Sequence, residues 1–257
     1  MKKILALIEE ELFKFAQLPF FQFLEDPNIP PAEKLCFAPC FTPFVMGYGD
    51  LNKFVWLEQP TTDPIQNIIN QQICEEENHW IWFLQDLKDL EFNYSLNFTD
   101  SLKFNWSNET WICRQTIYEL YRYTYKVSPI YKLVAIESIE YISHIFFSKT
   151  APVTQELKLL TNREYPYFGN LHFLAEDQHC VHSYQIKKNI ANMHLTEDKY
   201  KQACELVSKI FELFTHLVDV LLNFAKKYRG IEEVIKVTSS SAAKKETVSQ
   251  LGLISQS

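Results

Sequence analysis

Glycine is scarce in this chain. Only five occur in 257 residues: Gly47, Gly49, Gly169, Gly230 and Gly252. An average composition would supply about 7%. No GxGxxG exists, which excludes a Rossmann dinucleotide site. No GxxxxGK[ST] exists, which excludes the Walker-type phosphate cradle. Few glycine-bearing turns also speak against an all-β fold. The six cysteines, Cys36, Cys40, Cys74, Cys113, Cys180 and Cys204, form no CxxC pair. They lack the density of a disulfide scaffold, so a reducing cytoplasmic location is expected. No run of about 18 apolar residues occurs, so no membrane span is expected. Met1–Ile8 imitates a signal peptide until Glu9, Glu10 and Glu11 end the apolar run. The sequons at Asn93, Asn97, Asn105 and Asn108 then carry little weight. Positive charge is also in deficit. The formal net charge is −7, which repels phosphate backbones and argues against nucleic acid as a partner. Lys226, Lys227, Lys236, Lys244 and Lys245 read as a solvated helix end and tail.

Aromatic residues are abundant, with 20 Phe, 13 Tyr and 5 Trp. A chain this long can bury a large core without disulfide or metal staples. Apolar residues recur by threes and fours almost throughout, so the fold class expected is all-α. The pattern predicts helices over 3–18, 63–90, 108–126, 129–148, 152–161 and 196–229, with 165–189 mostly helical. Pro19, Pro39, Pro43 and the Gly47–Gly49 pair are expected to kink or end helices between 19 and 57. Asp63-Pro64 and Ser128-Pro129 are helix-start signals. Residues 91–106 read as a loop. One domain of seven or eight helices is expected over 1–235, with a disordered tail over 236–257.

The placement of seven histidines is the main functional clue. His172, Glu176 and His179 stand at i, i+4 and i+7, on one face of a helix. Two imidazoles and a carboxylate on one face can hold a divalent transition metal. Glu76 and His79 are three apart and share a face; Glu-x-x-His is the helical half-site of di-iron bundles. Glu137 and Glu140 interrupt the apolar run Leu133–Ile142, and a carboxylate buried there needs a partner or a metal. Taken singly, each of these side chains is ordinarily solvated or hydrogen-bonded. Three segments carrying such residues in one helical chain are what point to a metal site.

At these residues the sequence resembles a family. Residues 77–87, Glu-Asn-His-Trp-Ile-Trp-Phe-Leu-Gln-Asp-Leu, are similar to a block of the heme-oxygenase-like, iron-containing redox superfamily. Phe104-Asn105-Trp106-Ser107, Ala135-Ile136-Glu137 and Tyr167-Phe168-Gly169, followed by His172-x-x-x-Glu176-x-x-His179, resemble later blocks in the same order. Phe44-Val45-Met46-Gly47 with Asp50-Leu51-Asn52 resembles an earlier one. The resemblance covers roughly residues 35–182.

The resemblance implies a heme-oxygenase-like helical bundle and a non-heme iron oxidase or oxygenase. Such enzymes use O₂ on fatty acids, amino acids or related amines. It implies Glu76, His79, Glu137, His172, Glu176 and His179 as ligands of one or two iron ions. One departure is visible. Many members carry a carboxylate seven residues before the first-helix histidine, and this chain has Gln72 there. The partners expected are a small, partly apolar substrate and O₂, with a homodimer left open. The aromatic residues Trp80, Trp82, Phe83, Phe146, Phe147, Tyr167 and Phe168 are expected as core or as a substrate channel. Heme is disfavoured, because no His precedes His79 and no GxxxG occurs. A thiaminase-like hydrolase would need Cys74 or Cys180 as a reactive thiol. A metal-free interaction or effector protein is the alternative of another class. His216 and Asp219 on the last helix are read as a capped or solvent-facing pair.

Overall fold

Proline and capping side chains set many of the helix starts. The computed structural model describes residues 1–76, 78–93, 97–175 and 195–229. All regular structure among them is helical. Helices α1 to α4 span Lys2–Phe15, Pro19–Glu25, Pro31–Lys34 and Ala38–Leu51, and a π-helical turn follows at Asn52–Trp56. Then come α5 (Pro64–Glu76), α6 (His79–Asp89), α7 (Phe98–Asn105) and α8 (Trp111–Thr124). The two longest are α9 (Pro129–Thr161) and α10 (Glu197–Tyr228), and residues 170–175 form a short helical segment between them. Pro19, Pro31, Pro64 and Pro129 open their helices, where a missing N–H costs nothing. Asp63 Oδ1 accepts the N–H groups of Ile65 and Gln66 at 2.8 and 3.0 Å. Thr196 caps α10 in the same way.

Three boundaries differ from the expectation. The helix expected over 63–90 breaks after Glu76 and resumes at His79, with Asn78 at φ −111°. The expected loop over 91–106 contains α7. The two helices expected over 129–148 and 152–161 are one helix of 33 residues with Pro152 inside it. Burial explains the continuity: Phe146, Phe147, Ala151, Val153, Thr154 and Leu157 are all buried, so packing on both sides of Pro152 outweighs one lost backbone bond. The described residues hold the ten helices α1 to α10, besides the π-helical turn and the segment 170–175. The tail expected over 236–257, and Glu176, His179 and Cys180, lie outside the described residues.

Helix α9 is the central element. Every side chain from Leu133 to Ile139 is buried, the mark of a helix surrounded on all sides. Helices α10, α5, α1, α2 and α3 pack on it, while α4 packs on α8 and α6. Gly47 lets α4 and α8 approach, since a Cβ there would lie 2.9 Å from Ile117 Cγ1. Aromatic rings fill the centre: Phe20–Phe37 (5.2 Å), Phe37–Phe168 (5.7 Å) and Phe83–Tyr167 (5.1 Å) are edge-on pairs. Among the described residues, no helix is long and apolar enough to cross a membrane.

Candidate metal centre

Three chain segments meet at one point. Glu76 ends α5, His79 opens α6, and His172 lies in the helical segment 170–175. The helix break between Glu76 and His79 does not separate them: Glu76 Oε2 lies 2.8 Å from His79 Nδ1. One ligand atom from each of Glu76, His79 and His172 lies within 4.8 Å of the others. Ligands held about 2.1 Å from one ion lie at most about 4.2 Å apart. Small rotamer changes therefore suffice to close the three on an ion. His79 and His172 are buried, at 7% and 3% exposure.

The surroundings fix both imidazoles. Their rings lie 4.2 Å apart. Trp82 stacks on His79 at 4.6 Å, and Phe147 covers His172 at 3.8 Å. His172 Nδ1 lies 2.9 Å from the Tyr167 carbonyl. A carbonyl only accepts, so Nδ1 carries the proton and Nε2 is left as the ligand atom. The Tyr167 turn is tight. A Cβ at Gly169 would lie 2.2 Å from the Tyr165 carbonyl, so only glycine fits there.

The six residues expected as ligands divide accordingly. Glu76, His79 and His172 come together. Glu137 is buried but is not one of the three: it accepts a hydrogen bond from Gln72 Nε2 at 3.3 Å. Gln72 Oε1 is buried and has no hydrogen-bond partner among the described residues. Glu176 and His179 lie outside those residues.

An apolar cavity of about 60 Å³ opens onto the triad. Glu76, His79 and His172 line it together with apolar residues that include Phe147, Phe214 and Leu221. Glu140, Ser143 and Asn52 give it a few polar points. The expected aromatic belt thus splits in two. Trp80, Phe146, Phe147 and Tyr167 face the cavity, whereas Phe83 and Phe168 are core. A slot this narrow suits small molecules and is far below a macrocycle. Cys74 is exposed on α5 and does not line it. Cys40 and Cys113 are buried with their sulfurs 4.0 Å apart. The Cys113 thiol and burial push the Cys40 thiol far up, so it is no nucleophile. His216 faces solvent, as expected.

One polar group at this site was not anticipated. Asp86 is fully buried, seven residues after His79 on the same face of α6. Its Oδ2 accepts the Phe168 N–H at 2.8 Å, and Oδ1 has no partner among the described residues. The sequence carried a signal for it: His79, Trp82, Phe83 and Asp86 follow the i, i+3, i+4, i+7 rule of a buried face. Burial pushes its carboxyl up to about 7, against the lowering pull of the Phe168 and Tyr167 backbone N–H groups. Between the ordinary carboxyl value of 3.8 and about 7 the folded chain therefore holds a proton that the unfolded chain has lost. Stability must fall as pH rises through that window. We expect urea unfolding of the metal-free chain to show this component as a loss of about 2 kcal/mol from pH 5 to 8. The Asp86→Asn variant should lack it, and an unchanged slope in that variant would refute the assignment.

Compared with known proteins, the chain matches no protein-family model and no curated protein.

Proposed function

We propose that this chain is a non-heme iron oxidase or oxygenase, built on a heme-oxygenase-like helical bundle, that uses O₂ on a small, partly apolar organic substrate. The observation that carries this reading is the donor set: two buried imidazoles and one carboxylate converge on an apolar cavity. Two His and one carboxylate on one side of a metal are the ligand set of non-heme Fe(II) oxygenases, which leave open positions for O₂ and substrate. The residues fit the ion. His172 is already in the tautomer that offers Nε2, and Gln72 Oε1, four residues before Glu76, is buried with no hydrogen-bond partner among the described residues.

Glu76, His79 and His172 would hold the ion. Iron would supply the activation of O₂ that no side chain can perform. The chain's own residues do the rest. Phe147, Trp80 and Tyr167 line the cavity with the ligands and would limit the access of water to them. The apolar lining, Phe214 and Leu221 included, would accept an apolar portion of substrate, while Glu140, Ser143 and Asn52 would give it polar anchors. The test is anaerobic loading of the purified chain with Fe(II), removal of excess, and a count of iron per chain, followed by exposure to O₂ under optical monitoring. We expect at least one tightly held ion and an O₂-dependent spectral change. A folded chain that holds no iron would overturn the redox reading and favour a metal-free interaction protein.

A further inference from the structure

We propose that Asp86 is the positioning residue of the metal centre: through the backbone of the Tyr167–Phe168 turn it fixes His172 in the orientation and tautomer that present Nε2 to an ion. The inference rests on the metal reading for its consequence but not for its geometry.

The link is short and each step is a hydrogen bond or a covalent unit. Asp86 Oδ2 accepts the N–H of Phe168 at 2.8 Å. The same peptide unit ends in the Tyr167 carbonyl, which accepts the Nδ1–H of His172 at 2.9 Å. A carbonyl and the N–H of the following residue belong to one rigid plane. Holding the Phe168 N–H therefore aims the Tyr167 carbonyl. The plane has no freedom to compensate, because Gly169 sits against the Tyr165 carbonyl and Phe168 is fully buried. His79 and Asp86 also stand on one helix, two turns apart. Helix α6 thus presents one imidazole directly and braces the other through the turn.

A carboxylate is an expensive way to hold the backbone of a turn in a core. Its second oxygen is buried without a partner among the described residues, which costs free energy that an apolar residue would not incur. A residue kept only for packing would not carry that cost. Outer ligand supports of this kind typically change metal affinity about 10–100-fold when removed.

The experiment reads the brace in two ways, with and without metal. Metal-free protein carrying ¹⁵N-histidine reports the His172 tautomer by NMR. Wild type should show His172 protonated at Nδ1. Asp86→Ala should show mixed tautomers, and Asp86→Asn, whose carboxamide oxygen can still accept the Phe168 N–H, should restore the single form. Co(II) titration against a chelator should then show a loss of about 10–100-fold in affinity for Asp86→Ala, with a changed Co(II) absorption spectrum, and near wild-type behaviour for Asp86→Asn. Should Asp86→Ala fail to fold, Asp86→Glu takes its place. It keeps the carboxylate but displaces the turn by one methylene, and should perturb the tautomer and the Co(II) spectrum together. Unchanged tautomer and affinity in the folded variant would overturn the proposal and leave Asp86 a structural residue. Wild type that takes up no Co(II), yet shows the tautomer change, would overturn the metal reading while sustaining the brace.

Discussion

Replacing His172 by alanine is expected to abolish tight metal binding while leaving the helical fold in place. The imidazole is one of three donors within reach of a single ion. Its loss should exceed the effect of losing an outer support, so affinity should fall by more than about 100-fold. Stability of the metal-free chain should change far less. The ring is packed between Phe147, His79 and Tyr167, and its removal leaves a cavity at the edge of the core, worth about 1–3 kcal/mol. His79→Ala should behave alike, since it removes the second imidazole and its contact with Glu76. Competition against a chelator, with circular dichroism on the same samples, decides the matter. Stoichiometric, wild-type affinity in either folded variant would remove that histidine from the ligand set.

The part of this centre that could be read from the sequence is the part governed by helix periodicity. Glu76 and His79 stand three apart in sequence, and His172 opens a run with two further candidate ligands at helical spacing. Those intervals hold whatever the rest of the chain does. Glu137 was legible only as a carboxylate that must find a partner. One partner in the structure, Gln72, is 65 residues away, and no local pattern names it. Asp86 was legible as a face but not as a function, because its role depends on a turn more than 80 residues downstream. The helix boundaries failed for a related reason. Pro152 is a strong local breaker, but the buried residues around it belong to contacts that only the assembled bundle supplies. The break after Glu76 has no proline or glycine to announce it. It proved harmless to the expectation that mattered, since side chains on either side of it still meet.

Gln72→Glu is the substitution expected to change the chemistry of the centre most. The wild-type amide donates to Glu137 Oε1 at 3.3 Å, so a neutral group supplies one hydrogen bond to a buried carboxylate. A second carboxylate in that place would set two like charges at hydrogen-bond distance in a buried site. Two such groups cannot both ionise, and one must take up a proton. The metal-free variant should therefore lose about 1–3 kcal/mol of stability at pH 8, and less at pH 5, where the shared proton is readily supplied. A divalent cation reverses the sign. Two carboxylates facing each other form a cation site that the wild-type amide forbids, and binding at 100 times the dissociation constant returns about 2.7 kcal/mol. For a domain of this size that amounts to a rise of roughly 5–10 °C in Tm on adding Fe(II) or Mn(II). The variant should also hold more metal per chain than wild type. A Gln72→Glu chain as stable without metal as wild type at pH 8, and no richer in bound ion, would show that Gln72 and Glu137 are a structural pair only. The opposite result would show that this single amide limits how many ions the bundle holds.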